Sequence, residues 1–291
     1  MSQLNYLRGR MLALLLIPAL FYACDRFGKG GSKSTLAGKL DSIPYDLSAP
    51  ETFELADDLH EVSGISPAGD GTSLLAINDE RGSLFRIDLQ GKILFEKTFR
   101  KGGDYEDLVV IDSSVYVLTS NGNLHFISNW HADSIRSTPF KAEFKDGLEF
   151  ESLALDPVNR RLLMLVKDGE SRKGKAPVYA FDLVRKAFIA EPVMLVDPKA
   201  IKGMTVKGKS LRASAMSRNP ISGHWYAVTS IQKMLLVFDN EGNGMYAWRL
   251  PKKKFPQPEG LCFMPNGDMY MTTEGMSKAA QLYRFRNMAV K

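Results

Sequence analysis

The 291-residue sequence contains little cysteine and little histidine, with two cysteines and four histidines in all. Neither residue type forms a cluster with the spacing of metal ligands, which argues against a zinc-type site. A Gly-x-Ser-x-Gly nucleophile elbow, a phosphate-binding loop and a Cys/His catalytic pair are also absent from the sequence. Any metal or acid–base chemistry would therefore have to rest on carboxylates.

Long apolar runs are scarce too, and the only strongly apolar continuous one extends from Met11 to Ala23. Its 13 residues are too few to span a hydrocarbon core of ~30 Å, which takes about 20 helical residues. Arg8 and Arg10 precede the run, and the small residue Ala23 ends it. This pattern predicts a secretory signal peptide over residues 1–23.

Cys24 directly follows the predicted cleavage site. A cysteine at this position is similar to a bacterial lipobox, in which the thiol is acylated, although Phe21 and Tyr22 replace the usual small aliphatic residues. We therefore expect lipidation at Cys24, with a plain signal peptide and an incidental cysteine as the alternative. Residues 24–49, which include the Gly/Ser/Lys-rich stretch 28–34, would tether the protein to a membrane of the bacterial cell envelope.

The net charge of +5 does not by itself indicate a nucleic-acid ligand. The basic clusters at residues 172–175 and 252–254 fall in predicted hairpins and linkers, without the interleaved aromatic residues that would stack on bases. We interpret both clusters as solvated loops and expect no nucleic-acid partner. A membrane-facing role for Lys252 to Lys254 is the alternative.

Five segments of the sequence repeat one short pattern, aligned on Ser63, Glu106, Glu151, Ser214 and Glu259. Successive spacings are 43, 45, 63 and 45 residues. A period in the forties, with an apolar β-rich run after each match, is typical of a β-propeller with one four-stranded blade per repeat. Since no long amphipathic helix is evident, the sequence predicts an all-β, five-bladed propeller over residues 50–291.

Two details of the propeller stay open at this point. The longer spacing between Glu151 and Ser214 leaves room for a sixth blade. The last repeat stops after its third strand, near Asn287, whereas an unassigned β-rich run at residues 51–55 precedes the first repeat. We predict that this N-terminal strand completes the last blade and closes the ring, which removes two open sheet edges.

One rim of the predicted ring collects acidic residues. In a propeller, the start of the first strand and the end of the second lie at the same end of the blade. The carboxylates predicted at this rim as metal ligands are Glu106, Glu151, Glu259, Glu61, Asp79 and Glu274. Converging oxygen ligands suit a hard cation, so the sequence predicts Ca²⁺. The alternative is a salt-bridge network with Arg81, Lys167 and Arg212.

Several of these segments resemble one known family. They are Glu61–Ile65, Ile77–Glu80, Asp104–Leu108, Glu149–Leu153 and Pro258–Leu261, and in this order they are similar to the SdiA-regulated, YjiK-like family of bacterial envelope proteins. The resemblance extends over about residues 55–287. It implies a five-bladed propeller with a calcium-binding site and no established reaction. Ser214 replaces an acidic residue in the fourth repeat, so a complete ring of carboxylates is not expected.

We interpret the protein as a monomeric, envelope-anchored binding or scaffold module, with an unknown protein or small molecule as ligand at the rim. The alternative is a Ca²⁺-dependent hydrolase of the esterase, lactonase or phytase type, in which Glu106, Glu151 and Glu259 would handle protons. The sequence favours the binding module because it offers no clear histidine catalyst at the rim.

Overall fold

The computed structural model describes residues 43–145, 147–168, 175–197 and 211–289. The predicted signal peptide, Cys24 and most of the predicted tether lie outside the described residues. Within them the chain forms no α-helix, and correspondingly no helix long and apolar enough to cross a membrane.

The described residues form twenty strands. In chain order these are β1 (Glu51–Glu54), β2 (Val62–Pro67), β3 (Ser73–Asn78), β4 (Ser83–Asp88), β5 (Ile93–Thr98), β6 (Tyr105–Ile111), β7 (Ser114–Thr119), β8 (Leu124–Ile127), β9 (Thr138–Phe140), β10 (Glu149–Asp156), β11 (Arg161–Asp168), β12 (Ala176–Asp182), β13 (Ala187–Val196), β14 (Ala215–Arg218), β15 (Trp225–Thr229), β16 (Met234–Phe238), β17 (Gly244–Arg249), β18 (Pro258–Phe263), β19 (Met269–Thr273) and β20 (Gln281–Phe285). A single 3-10 turn, Asp57–Leu59, separates β1 from β2.

The strands pair into five antiparallel sheets of four strands each, which are the five blades of a propeller. Blades 1 to 4 are β2–β5, β6–β9, β10–β13 and β14–β17, and blade 5 is β18–β20 with β1. The predicted five-bladed fold is thus confirmed, and the described part of the long third repeat forms one blade. A separate hydrophobic cluster fills each interface between neighbouring blades and buries one face of every sheet.

The ring closes through β1, as the sequence predicts. This strand pairs antiparallel with β20, so that Thr52 lies opposite Tyr283 and Phe53 lies opposite Leu282. Just beyond the strand, the Leu55 amide donates to the Ala280 carbonyl at 2.9 Å. Blade 5 therefore joins the two ends of the described chain, and β1 covers the edge that β20 would otherwise expose.

The packed part of the chain begins before the expected boundary at residue 50. Ile43, Tyr45 and Leu47 are buried in the cluster between blades 4 and 5. The Tyr45 hydroxyl donates to the Gly267 carbonyl at 2.6 Å and accepts from Asn219 Nδ2 at 2.6 Å. Alternation of apolar residues in this extended segment is the sequence signal for this packing.

The five inner strands, β2, β6, β10, β14 and β18, contact one another in a ring around a central channel. β2 and β6 approach each other closely just after the repeat position, because a Cβ added at Gly64 would lie 2.5 Å from Asp107 Oδ1. Asp107 is buried, and its carboxyl accepts from the Leu108 amide at 2.8 Å and the Leu153 amide at 2.7 Å. Burial raises the pKa of Asp107 well above its ordinary value.

Candidate functional site: an acidic funnel

A cavity of about 600 Å³ opens at one end of the channel. Six carboxylates from four blades line it: Asp79, Asp104, Glu106, Glu151, Glu259 and Glu274. We call this cavity the acidic funnel. Its wall also includes Lys167, Lys233, Lys252 and Gln257. A smaller and more apolar cavity of about 290 Å³ lies further along the inner strands, and Asp107, between Glu106 of the first cavity and Leu108 of the second, lines neither.

The repeat position coincides with a β-bulge in four of the five blades. The register between the first and second strands shifts at Ser63, Glu106, Glu151 and the Glu259–Gly260 pair, so these residues have no partner across the ladder. A bulge bends its strand and redirects a side chain. The bulges therefore account for how one short motif places carboxylates of blades 2, 3 and 5 in the same cavity.

Blade 4 differs at the equivalent position. Ser214 lies just before β14, and its hydroxyl donates to the Pro258 carbonyl of blade 5 at 2.6 Å. The side chain is almost fully buried. Ser214 thus links two blades, and blade 4 supplies Ser230, Ile231 and Lys233 to the funnel wall from the turn between β15 and β16.

Glu151 forms an ion pair with Lys167 of the neighbouring strand β11. The side chains are 12% and 23% exposed, respectively. Glu151 Oε2 is buried, and it has no hydrogen-bond partner among the described residues. The salt-bridge alternative is thus present at one carboxylate, which still keeps one oxygen available to a ligand.

Burial and mutual repulsion raise the pKa values of the other carboxylates. For Glu106 the pKa rises to about 8, mainly through burial and then through the charge of Asp104. For Glu259 it rises to about 8, through burial and then Glu274. Lys167 opposes both shifts but is outweighed. These groups gain little compensation from the protein, so the funnel favours an added positive charge.

Asp79 and Glu274, the candidate ligands at the ends of second strands, also have raised pKa values. Burial and the charge of Asp79 raise the pKa of Glu274 to about 7. Burial and the charge of Glu61 raise the pKa of Asp79 itself, and its Oδ1 is buried without a hydrogen-bond partner in the described part of the chain. Gln257 Nε2 donates to Glu274 Oε2 at 2.5 Å and fixes that carboxylate at the funnel mouth.

Five of the six predicted metal ligands therefore line one cavity, and Glu61 is the exception. Its side chain is exposed and is not part of the funnel wall, although its charge acts on Asp79 and Glu274. Arg81, expected at this rim, pairs instead with Asp58 at 2.6 Å and Glu96 at 2.5 Å. In the described residues, no three acidic, histidine or cysteine side chains stand close enough together to hold a metal ion.

The sequence analysis does not predict Gln257 and Lys233 as residues of the funnel wall. Gln257 lies two residues before Glu259, as Asp104 does before Glu106, so the repeat contains a signal for it. Lys233 lies in the β15–β16 turn with a φ of 53° and has no comparable signal. Burial lowers the pKa of Lys233, against the opposing charge of Glu259.

A family model described as SdiA-regulated matches residues 44–286 of this chain. Among solved structures, glutaminyl cyclase from Myxococcus xanthus is 15% identical, with a TM-score of 0.58 over 81% of this chain and 94% of that one. A luciferin-regenerating enzyme is 10% identical, with a TM-score of 0.54 over 84% and 97%. Hydrazine synthase from Kuenenia stuttgartiensis is 11% identical, with a TM-score of 0.50 over 79% and 84%. At these identities the likeness shows the fold alone.

Proposed function

The chain belongs to the SdiA-regulated family of β-propellers, and from this premise we propose that its acidic funnel binds Ca²⁺ in an envelope-anchored binding module. The observation that carries the proposal is the convergence of five candidate carboxylates from four blades in one cavity. Neighbouring carboxylates contribute to the raised pKa values of Glu106, Glu259 and Glu274. A cation in the funnel would remove the repulsion between them.

The donor atoms in the funnel suit Ca²⁺ in particular. All six carboxylates are hard oxygen donors, and Ca²⁺ accepts six to eight such ligands in irregular arrangements. Glu106, Glu259 and Glu274 would be the principal ligands, joined by the unpartnered oxygens of Asp79 and Glu151. Because like charges keep the carboxylates apart, we expect their side chains to move inward when the ion binds.

Isothermal titration calorimetry of the purified protein with Ca²⁺, after treatment with chelator, tests this proposal directly. We expect one saturable site in the wild type and weaker binding in a Glu106→Gln/Glu259→Gln double variant. Glu54→Gln is a matched control, because Glu54 is exposed on the edge strand β1. The absence of Ca²⁺ binding, or equal affinity in the double variant, would contradict the proposal.

Hydrolysis is a second candidate function, favoured by one observation. The pKa values of Glu106 and Glu259, raised to about 8, lie near the range in which a carboxyl can serve as a general acid or base at neutral pH. A screen of ester, lactone and phytate substrates, with and without chelator, tests it. Turnover that requires Ca²⁺ and is lost in Glu106→Gln would support a hydrolase. The absence of turnover would leave the binding module as the proposed function.

Anchoring in the envelope depends on Cys24, which lies outside the described residues. We propose that its thiol carries a lipid and that residues 25–42 separate the propeller from the membrane. Metabolic labelling with a fatty-acid probe should mark the wild-type protein and leave Cys24→Ala unlabelled. Equal labelling of both proteins would contradict lipidation at this cysteine.

A further inference from the structure

A second cavity, of about 520 Å³, adjoins the acidic funnel on the side of blade 5. Lys252, Pro256, Glu274 and Met276 line both cavities, so the two are direct neighbours. Four lysines line the second cavity: Lys252, Lys253, Lys254 and Lys278. We call it the lysine groove. A strongly basic surface thus lies directly beside a strongly acidic one.

Three of the lysines are carried on an ordered turn between β17 and β18. The Pro251 carbonyl accepts from the amides of Lys254 and Phe255, both at 2.9 Å. Phe255 is fully buried, and its ring centroid lies 4.8 Å from that of Tyr283. The Tyr283 hydroxyl in turn donates to the Lys254 carbonyl. The turn is therefore held in place on blade 5, so the backbone that carries these lysines keeps a fixed position beside the groove.

The lysines of the groove form no ion pair with any carboxylate in the described part of the chain. Lys254 Nζ donates to the Ser48 carbonyl at 2.8 Å and lies 5.9 Å from the Phe255 ring centroid, so its position is defined, and its charge also acts on Asp46. Lys252, Lys253 and Lys278 are exposed. Four like charges around one cavity repel each other, and an anion bound between them would relieve that repulsion.

The donor set selects among anions. Each ammonium is a compact charge with three donors, a type of group that binds phosphate as a point charge. No arginine of the described residues lines the groove, so an anion there would meet compact charges and not the planar guanidinium that pairs with carboxylate and phosphate alike. The hydroxyls of Thr52, Thr273 and Ser277 on its wall add neutral donors. A phosphate monoester carries a charge of about −1.5 to −2 at neutral pH and so benefits most from several lysines.

We propose that the lysine groove is a binding site for the phosphate group of a phosphate monoester, either a soluble metabolite or a lipid headgroup. The groove shares Lys252 and Glu274 with the funnel, whereas Lys253, Lys254 and Lys278 line the groove alone. Phosphate binding is therefore tested in chelator, with variants of residues that line the groove alone.

Calorimetry with glycerol 3-phosphate, performed in chelator at low salt, tests the proposal without involving calcium. The informative variant is Lys253→Gln/Lys278→Gln, in which both substituted residues are exposed and belong to the groove alone. The control is Lys92→Gln/Arg185→Gln, which removes the same charge from exposed turns after β4 and β12, at the opposite end of the blades. We expect the dissociation constant to rise about tenfold in the groove variant and to stay unchanged in the control.

Vesicles distinguish the two sources of the phosphate. Sedimentation with phosphatidylcholine vesicles, with and without phosphatidic acid, should show retention that depends on phosphatidic acid if the headgroup is recognised. Binding of glycerol 3-phosphate alone identifies a soluble monoester. No binding of either probe, or equal loss in the groove variant and the control, overturns the proposal. Since calcium is absent throughout, neither result bears on the calcium site.

Discussion

Lys167 and Glu151 form an ion pair across β10 and β11, on the wall of the acidic funnel. The lysine therefore occupies the position of a cation within the proposed calcium site. It lowers the pKa of Glu106, Glu259 and Glu274, but burial and the neighbouring acids outweigh it. A Ca²⁺ ion in the funnel would therefore share Glu151 with Lys167, whose positive charge opposes the ion.

Replacing Lys167 by methionine should raise the affinity for Ca²⁺, because the internal competitor and its positive charge are removed. In chelator, the variant should be less stable by about 2 kcal/mol, since a partly buried carboxylate loses its partner. Calorimetry with Ca²⁺ and denaturant unfolding measure the two effects. Lys167→Arg keeps the charge and serves as the control. Unchanged affinity in Lys167→Met would mean that Glu151 takes no part in metal binding.

Glu259→Gln should abolish most of the calcium-dependent stabilisation of the fold. A ligand that binds only the folded state stabilises it by about 2.7 kcal/mol at a hundredfold excess over its dissociation constant. The amide keeps the side-chain volume and replaces a buried carboxyl whose pKa is raised, so no charge can form at this position. The variant should therefore melt at or above the wild-type temperature in chelator, yet gain little from Ca²⁺. A full calcium-dependent shift in Glu259→Gln, equal to that of Glu54→Gln, would contradict this role.

The raised pKa values of two funnel carboxyls predict that the folded protein loses stability as the pH rises. The pKa of Glu106 and of Glu259 is about 8 in the folded protein, against a reference of 4.5. Between these values the folded state binds more protons than the unfolded state, so the free energy of unfolding should fall as the pH rises from about 4.5 to about 8. The affinity for Ca²⁺ should rise over the same interval, because the ion displaces these protons.

Denaturant unfolding in chelator at a series of pH values measures this decline. Glu106→Gln/Glu259→Gln is the comparison that isolates it, because groups remote from the funnel titrate equally in both proteins, although Glu274 also loses the repulsion of the two replaced carboxylates. As the pH rises, the unfolding free energy of the wild type should fall relative to that of the double variant. A difference that does not change between pH about 4.5 and about 8 would show that these two carboxyls have ordinary pKa values in solution.

The fold could be predicted from the sequence because every blade repeats one local pattern, and Ser63, Glu106 and Glu151 keep their spacing. The convergence of the carboxylates follows from the same repeat, since equivalent residues of a propeller lie around one axis. The lysine groove could not be predicted, because Lys252 lies in the connection between blades 4 and 5 and Lys278 in the turn between β19 and β20. The packing of Tyr45 was missed as well, since short alternation of apolar residues is a weak signal beside the polar stretch that precedes it.

Closure of the ring gives the last prediction. Deleting residues 25–42 should leave stability unchanged, whereas deleting residues 25–55 removes β1 and the buried Tyr45. The longer deletion exposes the edge of β20 and leaves Asn219 Nδ2 without the Tyr45 hydroxyl that it donates to, which should cause aggregation. Size-exclusion chromatography and thermal unfolding of the two proteins test this. A monomeric product of the longer deletion with the stability of the shorter one would mean that β1 is not needed to close the propeller.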